Sequence, residues 1–296
     1  MKSGEIILFC LTFLSQILLI NGLHARRVIR NRRYVLDNFP PATHPKMYPQ
    51  PLGYYEGKLR NFVRLNIAIV ALGLMIILGI LGTLAGFWDG GLLDPARDQR
   101  WDVTIVAPFF ILQVLSSQYL DFAFKHGVAM ATATPPRVRT TELRRRQLTD
   151  FVAPGALLIL LFVNAAFVAF LLYYRGYGFP WFTAAGNIAG AMFMLTVFAL
   201  SLAFALFSSR QDPYQRAQDH REWLKSVVRY TYWSCVTLPV LVTAILLFKA
   251  WDPDAYEPAV VSLFCQAFAL PLLWSTFRYR VENIDFDVYR QDARTT

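Results

Sequence analysis

Residues 152–173 read VAPGALLILLFVNAAFVAFLLY. No charge interrupts the run, and Asn164 is its one amide. At ~1.5 Å rise per residue, a helix of this length crosses roughly 30 Å of hydrocarbon. A segment facing lipid must satisfy its backbone internally, so helix is the expected conformation. Barrel strands would instead alternate apolar and polar residues in ten-residue pieces, and this run does not.

Six further apolar segments lie outward from it, at about 5–22, 65–87, 103–124, 181–207, 230–250 and 258–276. Composition agrees: of 296 residues, 55% are hydrophobic and 17% charged, with mean hydropathy +0.37. An ordinary soluble domain carries roughly 25% charge. Water-soluble, collagen-like, disulfide-rich and disordered readings therefore fail. The sequence predicts an all-α, polytopic integral membrane protein with seven transmembrane helices. They form a single transmembrane domain over 1–296, with no soluble domain.

The first segment has the length of a signal peptide but the wrong charge asymmetry. Glu5 and a lone Lys2 precede it, whereas Arg26, Arg27, Arg30, Arg32 and Arg33 follow. A cleavable signal prefers the reverse arrangement, and Leu23-His24-Ala25 is a poor cleavage site. The expectation is a retained anchor helix with its N-terminus outside. Lys and Arg then divide 24 to 5 between cytoplasmic and outer segments, as the positive-inside rule asks. The C-terminus falls in the cytoplasm. The net charge of +9 thus reflects topology and anionic lipid headgroups, not nucleic acid. Arginine outnumbers lysine 23 to 6, which suggests a GC-rich bacterium and an inner-membrane location.

After the anchor, the chain reads as three helical hairpins. Each begins with a basic stretch leading into an aromatic residue: Phe62, Phe151 and Tyr230. Interfacial aromatics account for much of this similarity without a repeat. Asp212-Pro213 is a helix start signal, from which one helix can run into the sixth span. The segment from Asn38 to Gly53 holds five prolines and should be irregular. Pro108, Pro239 and Pro271 lie within spans and should kink or locally open them.

Gly82-x-x-x-Gly86 and Gly186-x-x-x-Gly190 are small-residue patterns that let helices approach closely in lipid. They are the candidate helix-packing positions. The candidate polar interior consists of Gln113, Ser117, Asp121, Asn164, Asn187 and Gln266. Gln113, Ser117 and Asp121 recur every four residues on one helix stripe. Gln113, Asn164, Asn187 and Gln266 come from four spans at similar depth below the outer surface. They suit a layer for water or a neutral polar solute, or interhelical hydrogen-bonded packing.

No catalytic, cofactor-binding or metal-ligating set emerges from the sequence. His24, His44, His126 and His220 form no HExxH pair. Cys10, Cys235 and Cys265 lie within spans and form no CxxC, so they read as small buried hydrophobes. The last span holds no lysine for a retinal Schiff base. Three function classes remain. The first is a non-catalytic subunit or scaffold of a membrane complex, with a membrane-protein partner or a homo-oligomer. The second is a channel or carrier using the amide layer. The third is a membrane-embedded enzyme acting at the cytoplasmic face.

Overall fold

The computed structural model describes residues 3–87, 102–131, 150–173, 217–250, 256–278 and 281–290, with scattered positions between 188 and 203. The regular structure among them is helical: α1 (Ser3–Ile17), α2 (Ala25–Asn38), α3 (Leu52–Leu84), α4 (Ala107–Ala131), α5 (Pro154–Tyr173), α6 (Ala217–Ala250) and α7 (Glu257–Arg278). Among the described residues, three helical stretches are long and apolar enough to cross a membrane: Ser3–Asn38, Leu52–Leu84 and Pro154–Tyr173. Thr104–Ser117 and Pro258–Leu270 are shorter apolar stretches. Among the described residues the regular structure is thus all helix, compatible with a membrane protein. Most of the span expected at 181–207 lies outside the described residues.

α1 and α2 form one rod of 36 residues, joined by a π-helical segment over Leu18–His24. The rod outlasts its apolar half because the arginine-rich half is amphipathic. Ala25, Val28, Ile29 and Leu36 recur at helical spacing and pack with Leu59 and Phe62 of α3. The expected span at 65–87 is similarly part of a longer helix. α3 begins directly after Pro51 and ends at Leu84, three residues short of the expected limit. Its end is a Schellman cap: Gly86 NH bonds Thr83 O and Phe87 NH bonds Gly82 O, with Gly86 at φ 75°.

Pro154 opens α5, at a position where a missing N–H costs least. Pro108 follows directly on a π segment at Asp102–Val106 that runs without a break into α4, a local opening of the kind expected at a proline within a span. Pro239 and Pro271 are carried inside α6 and α7 without ending either. α6 runs unbroken from Ala217 to Ala250, joining the basic collar to the sixth apolar segment.

Paired residues give the relative helix directions. Phe13 meets Phe109 and Gln16 meets Gln113, so α1 and α4 run parallel. Thr12 meets Gln266 while Ile20 packs with Ala269 and Leu273, so α7 runs with them. Ile17 faces Gly73 and Asn21 bonds Asn66, so α3 runs against them. Val152 packs with Val228, Asn164 meets Cys235 and Leu171 packs with Leu246, so α5 and α6 are parallel to each other. The main core gathers Phe9, Phe13, Ile17, Ile69, Ile80 and Phe109 from α1, α3 and α4, with Cys265 from α7. α7 packs on both α1 and α6 and so links this core to the α5–α6 pair.

At the basic end of the bundle, the proline-rich strap is mostly irregular, with one 3-10 turn at Pro45–Met47. The C-terminal 3-10 turn at Asp287–Tyr289 packs against it. Phe39 lies tilted against Phe286 at 4.3 Å between ring centres and meets the His44 ring edge-on at 5.1 Å.

Candidate functional site in a buried amide network

Four polar residues of the first rod organise the interior: Thr12, Ser15, Gln16 and Asn21. Gln16, fully buried, donates from Nε2 to Gln113 Oε1 at 2.8 Å. Its own Oε1 accepts a 2.8 Å bond from Ser262 Oγ of α7. Gln113, also fully buried, donates from Nε2 to Asn21 Oδ1 at 2.7 Å. Asn21 Nδ2 donates to Asn66 Oδ1 at 3.0 Å, and Asn66 Nδ2 donates to the Phe62 carbonyl at 2.9 Å. A branch near the other end has Gln266 Nε2 donating to Thr12 O at 2.9 Å, with Ser15 Oγ 3.0 Å from Gln266 Oε1.

The π segment explains why one glutamine reaches both Gln16 and Asn21. In a regular α-helix, residues five apart lie about 140° away from each other around the axis, at 3.6 residues per turn. The i→i+5 bonding of a π turn brings such residues nearly over one another. The wider winding at Leu18–His24 thus aligns Asn21 with Gln16 along the α4 face.

Of the expected amides, Gln113 and Gln266 belong to this network, each bonded to the first rod. Asn164 lies apart on α5, donating to Leu160 O at 2.8 Å and Cys235 O at 3.5 Å, with its Oδ1 buried and without a partner. Ser117 bonds back to Val114 O within its own helix. Asp121 belongs to α4, but its side chain lies outside the described residues, as do Asn187, Gly186 and Gly190. Gly82 is buried, whereas Gly86 is exposed beyond the helix end and serves as its left-handed cap. The close helix approach occurs at Gly73, where an added Cβ would sit 2.5 Å from Ile17 Cδ1 and 2.8 Å from Phe109 Cζ.

Gln16, Asn21, Asn66 and Ser262 were not among the expected site residues. The signal for them was present: each is a polar residue within or at the edge of an apolar segment. Treating the first segment as an anchor removed it from the depth comparison that brought out Gln113.

Chemically, this arrangement is neutral and self-satisfied. Both ends of Gln16, Gln113 and Asn21 are engaged with other protein groups, and such saturation fixes helix register. Among the described residues, no group of three His, Cys, Asp or Glu side chains could hold a metal ion. Outside the spans, His44 is 3% exposed, with Nδ1 at 2.8 Å from Thr43 Oγ1 and Nε2 without a hydrogen-bond partner. Burial holds its pKa below 6.5, the Arg290 charge adds to this, and Asp287 opposes it. Burial likewise pushes the Tyr48 phenol up to about 12, with Tyr55 and Asp37 contributing.

No family model, curated protein or solved structure matches the chain. The site's own geometry carries the functional reading.

Proposed function

We propose that this chain is a non-catalytic, multi-pass subunit or scaffold of a membrane complex, residing in a bacterial inner membrane. The observation that carries this reading is the saturation of the amide network. Gln16 and Gln113 have no exposed surface, and their amides are used in joining α1, α4 and α7. A solute site would instead present polar groups to a cavity. The seven-span topology with the N-terminus outside is supported by the 24-to-5 charge division. The parallel run of α1, α4 and α7 against α3 supports successive crossings in alternating sense, whichever side the N-terminus lies on.

Purification in mild detergent tests this function. A scaffold brings stoichiometric partner chains, or a second copy, whose loss follows disruption of the bundle surface. A chain that purifies alone and moves a polar solute into liposomes would establish the carrier reading instead. Alkaline phosphatase fused after Thr296 should be inactive, and activity there would reverse the orientation.

A further inference from the structure

α5 is the least covered of the three long apolar helices, with 11% of its apolar window buried. Leu158, Leu161 and Phe162 are 70–73% exposed. Beside this face, a groove of about 730 Å³ runs between α5 and α6, with Leu195 and Ala199 also lining it. Leu157, Leu161, Asn164, Val168 and Leu172 line it from α5, recurring at three- and four-residue spacing. From Leu157 to Leu172 the groove is roughly 22 Å long at helical rise.

Charge decides between occupants. At roughly 30 Å³ per water-sized group, the groove takes on the order of twenty-four methylenes, the greater part of one phospholipid's acyl chains. On α6 the lining residues Val228, Tyr232 and Cys235 continue toward the helix start as Lys225 and Arg221. All five share one stripe, at spacings of four, three, four and three. Arg221 and the adjoining Arg229 are exposed, and Glu222 pairs with Lys225 at 2.6 Å. The apolar groove therefore passes into a helix end where Arg221, Lys225 and Arg229 outnumber Asp219 and Glu222, a net charge of +1. Basic sites of this kind beside membrane helices hold acidic lipid headgroups.

We propose that this groove binds one anionic phospholipid, its acyl chains along α5 and its phosphate at Arg221 and Lys225. The proposal rests on the membrane reading above, and it adds a specific lipid site that a scaffold does not require.

The test uses the full chain, delipidated in detergent and titrated with phosphatidylglycerol or phosphatidylcholine of identical chains. Native mass spectrometry counts the bound lipids. The wild-type protein should hold one phosphatidylglycerol in preference to phosphatidylcholine. The Arg221→Gln/Lys225→Gln variant should keep a lipid but lose the preference, by roughly fivefold for each cation removed. Ala165→Trp, which fills the groove, should lose the lipid altogether; Ala169→Phe serves the same purpose should the tryptophan variant fail to fold. Undiminished phosphatidylglycerol binding by a folded groove-filling variant would overturn the proposal. So would equal retention of the two lipids by the wild type, or a stoichiometric polypeptide occupying this face in place of lipid. Release of the chain from membranes by carbonate washing would instead refute the membrane reading itself.

Discussion

Asn66 Nδ2 donates to the carbonyl of Phe62 one turn earlier, and that bond sets the polarity of the whole interior network. A carbonyl only accepts, so Asn66 must turn its amide oxygen toward Asn21. Asn21 must then donate, and the same logic passes through Gln113 and Gln16 to the hydroxyl of Ser262. Five bonds share one direction, and no amide in the chain can flip alone.

Removing the middle of this chain should cost more than an ordinary interhelical bond in lipid, which averages about 0.6 kcal/mol. Gln113→Leu leaves Gln16 Nε2 and Asn21 Oδ1 without partners, so a loss of about 1–2 kcal/mol is expected. Reversible unfolding in mixed micelles measures it. A loss below about 0.5 kcal/mol would show that the bonds exchange freely.

Asn164→Leu should behave oppositely. Its Oδ1 is buried without a partner, so replacing the amide removes a desolvation cost. The expected change is neutral to about 1 kcal/mol stabilising by the same assay. Clear destabilisation would mean that the 3.5 Å approach to Cys235 O matters more than its length implies.

Gly73→Ala should destabilise by about 1–3 kcal/mol, because the new methyl meets Ile17 and Phe109 where α1, α3 and α4 pack closely. Gly22→Ala meets nothing within 4 Å and should be tolerated. Equal melting temperatures for the two variants would count against Gly73 as a point of close helix approach.

His44 makes the strap sensitive to acid. Its folded pKa lies below the unfolded value of 6.5, so the neutral form favours the folded strap. That stability is fully present above about pH 6.5 and is lost as pH falls toward the depressed folded pKa. Hydrogen exchange of residues 39–50 and 281–290 should therefore accelerate on acidification below 6.5. His44→Gln should flatten this dependence, and an unchanged profile would assign it elsewhere.

Much of the architecture was legible in the sequence because lipid imposes simple constraints. Continuous apolar runs such as 152–173 became helices, and the prolines between Asn38 and Gly53 kept the strap irregular. The long α6 followed from uninterrupted helix formers around the basic collar. What escaped was tertiary. Gly82 and Gly86 share a motif, yet Gly86 caps the helix because the apolar run ends there. Asn164 matches Gln113 in depth, but depth says nothing about the direction in which a side chain points. The π segment at Leu18–His24 was invisible because no residue type demands it; its alignment of Asn21 with Gln16 emerges only against α4.

The contact between Gln16 and Ser262 joins α1 to α7 across 246 residues of chain. At roughly 5–20 residues per second, the intervening chain takes on the order of ten to fifty seconds to synthesise. Through that interval the amide oxygen of Gln16 lacks its partner on α7, and the Phe39 ring at the strap has no Phe286 to cover it. Until α7 docks, the nascent protein thus holds an amide oxygen without its partner in hydrocarbon, and chains that stall before α7 keep it so.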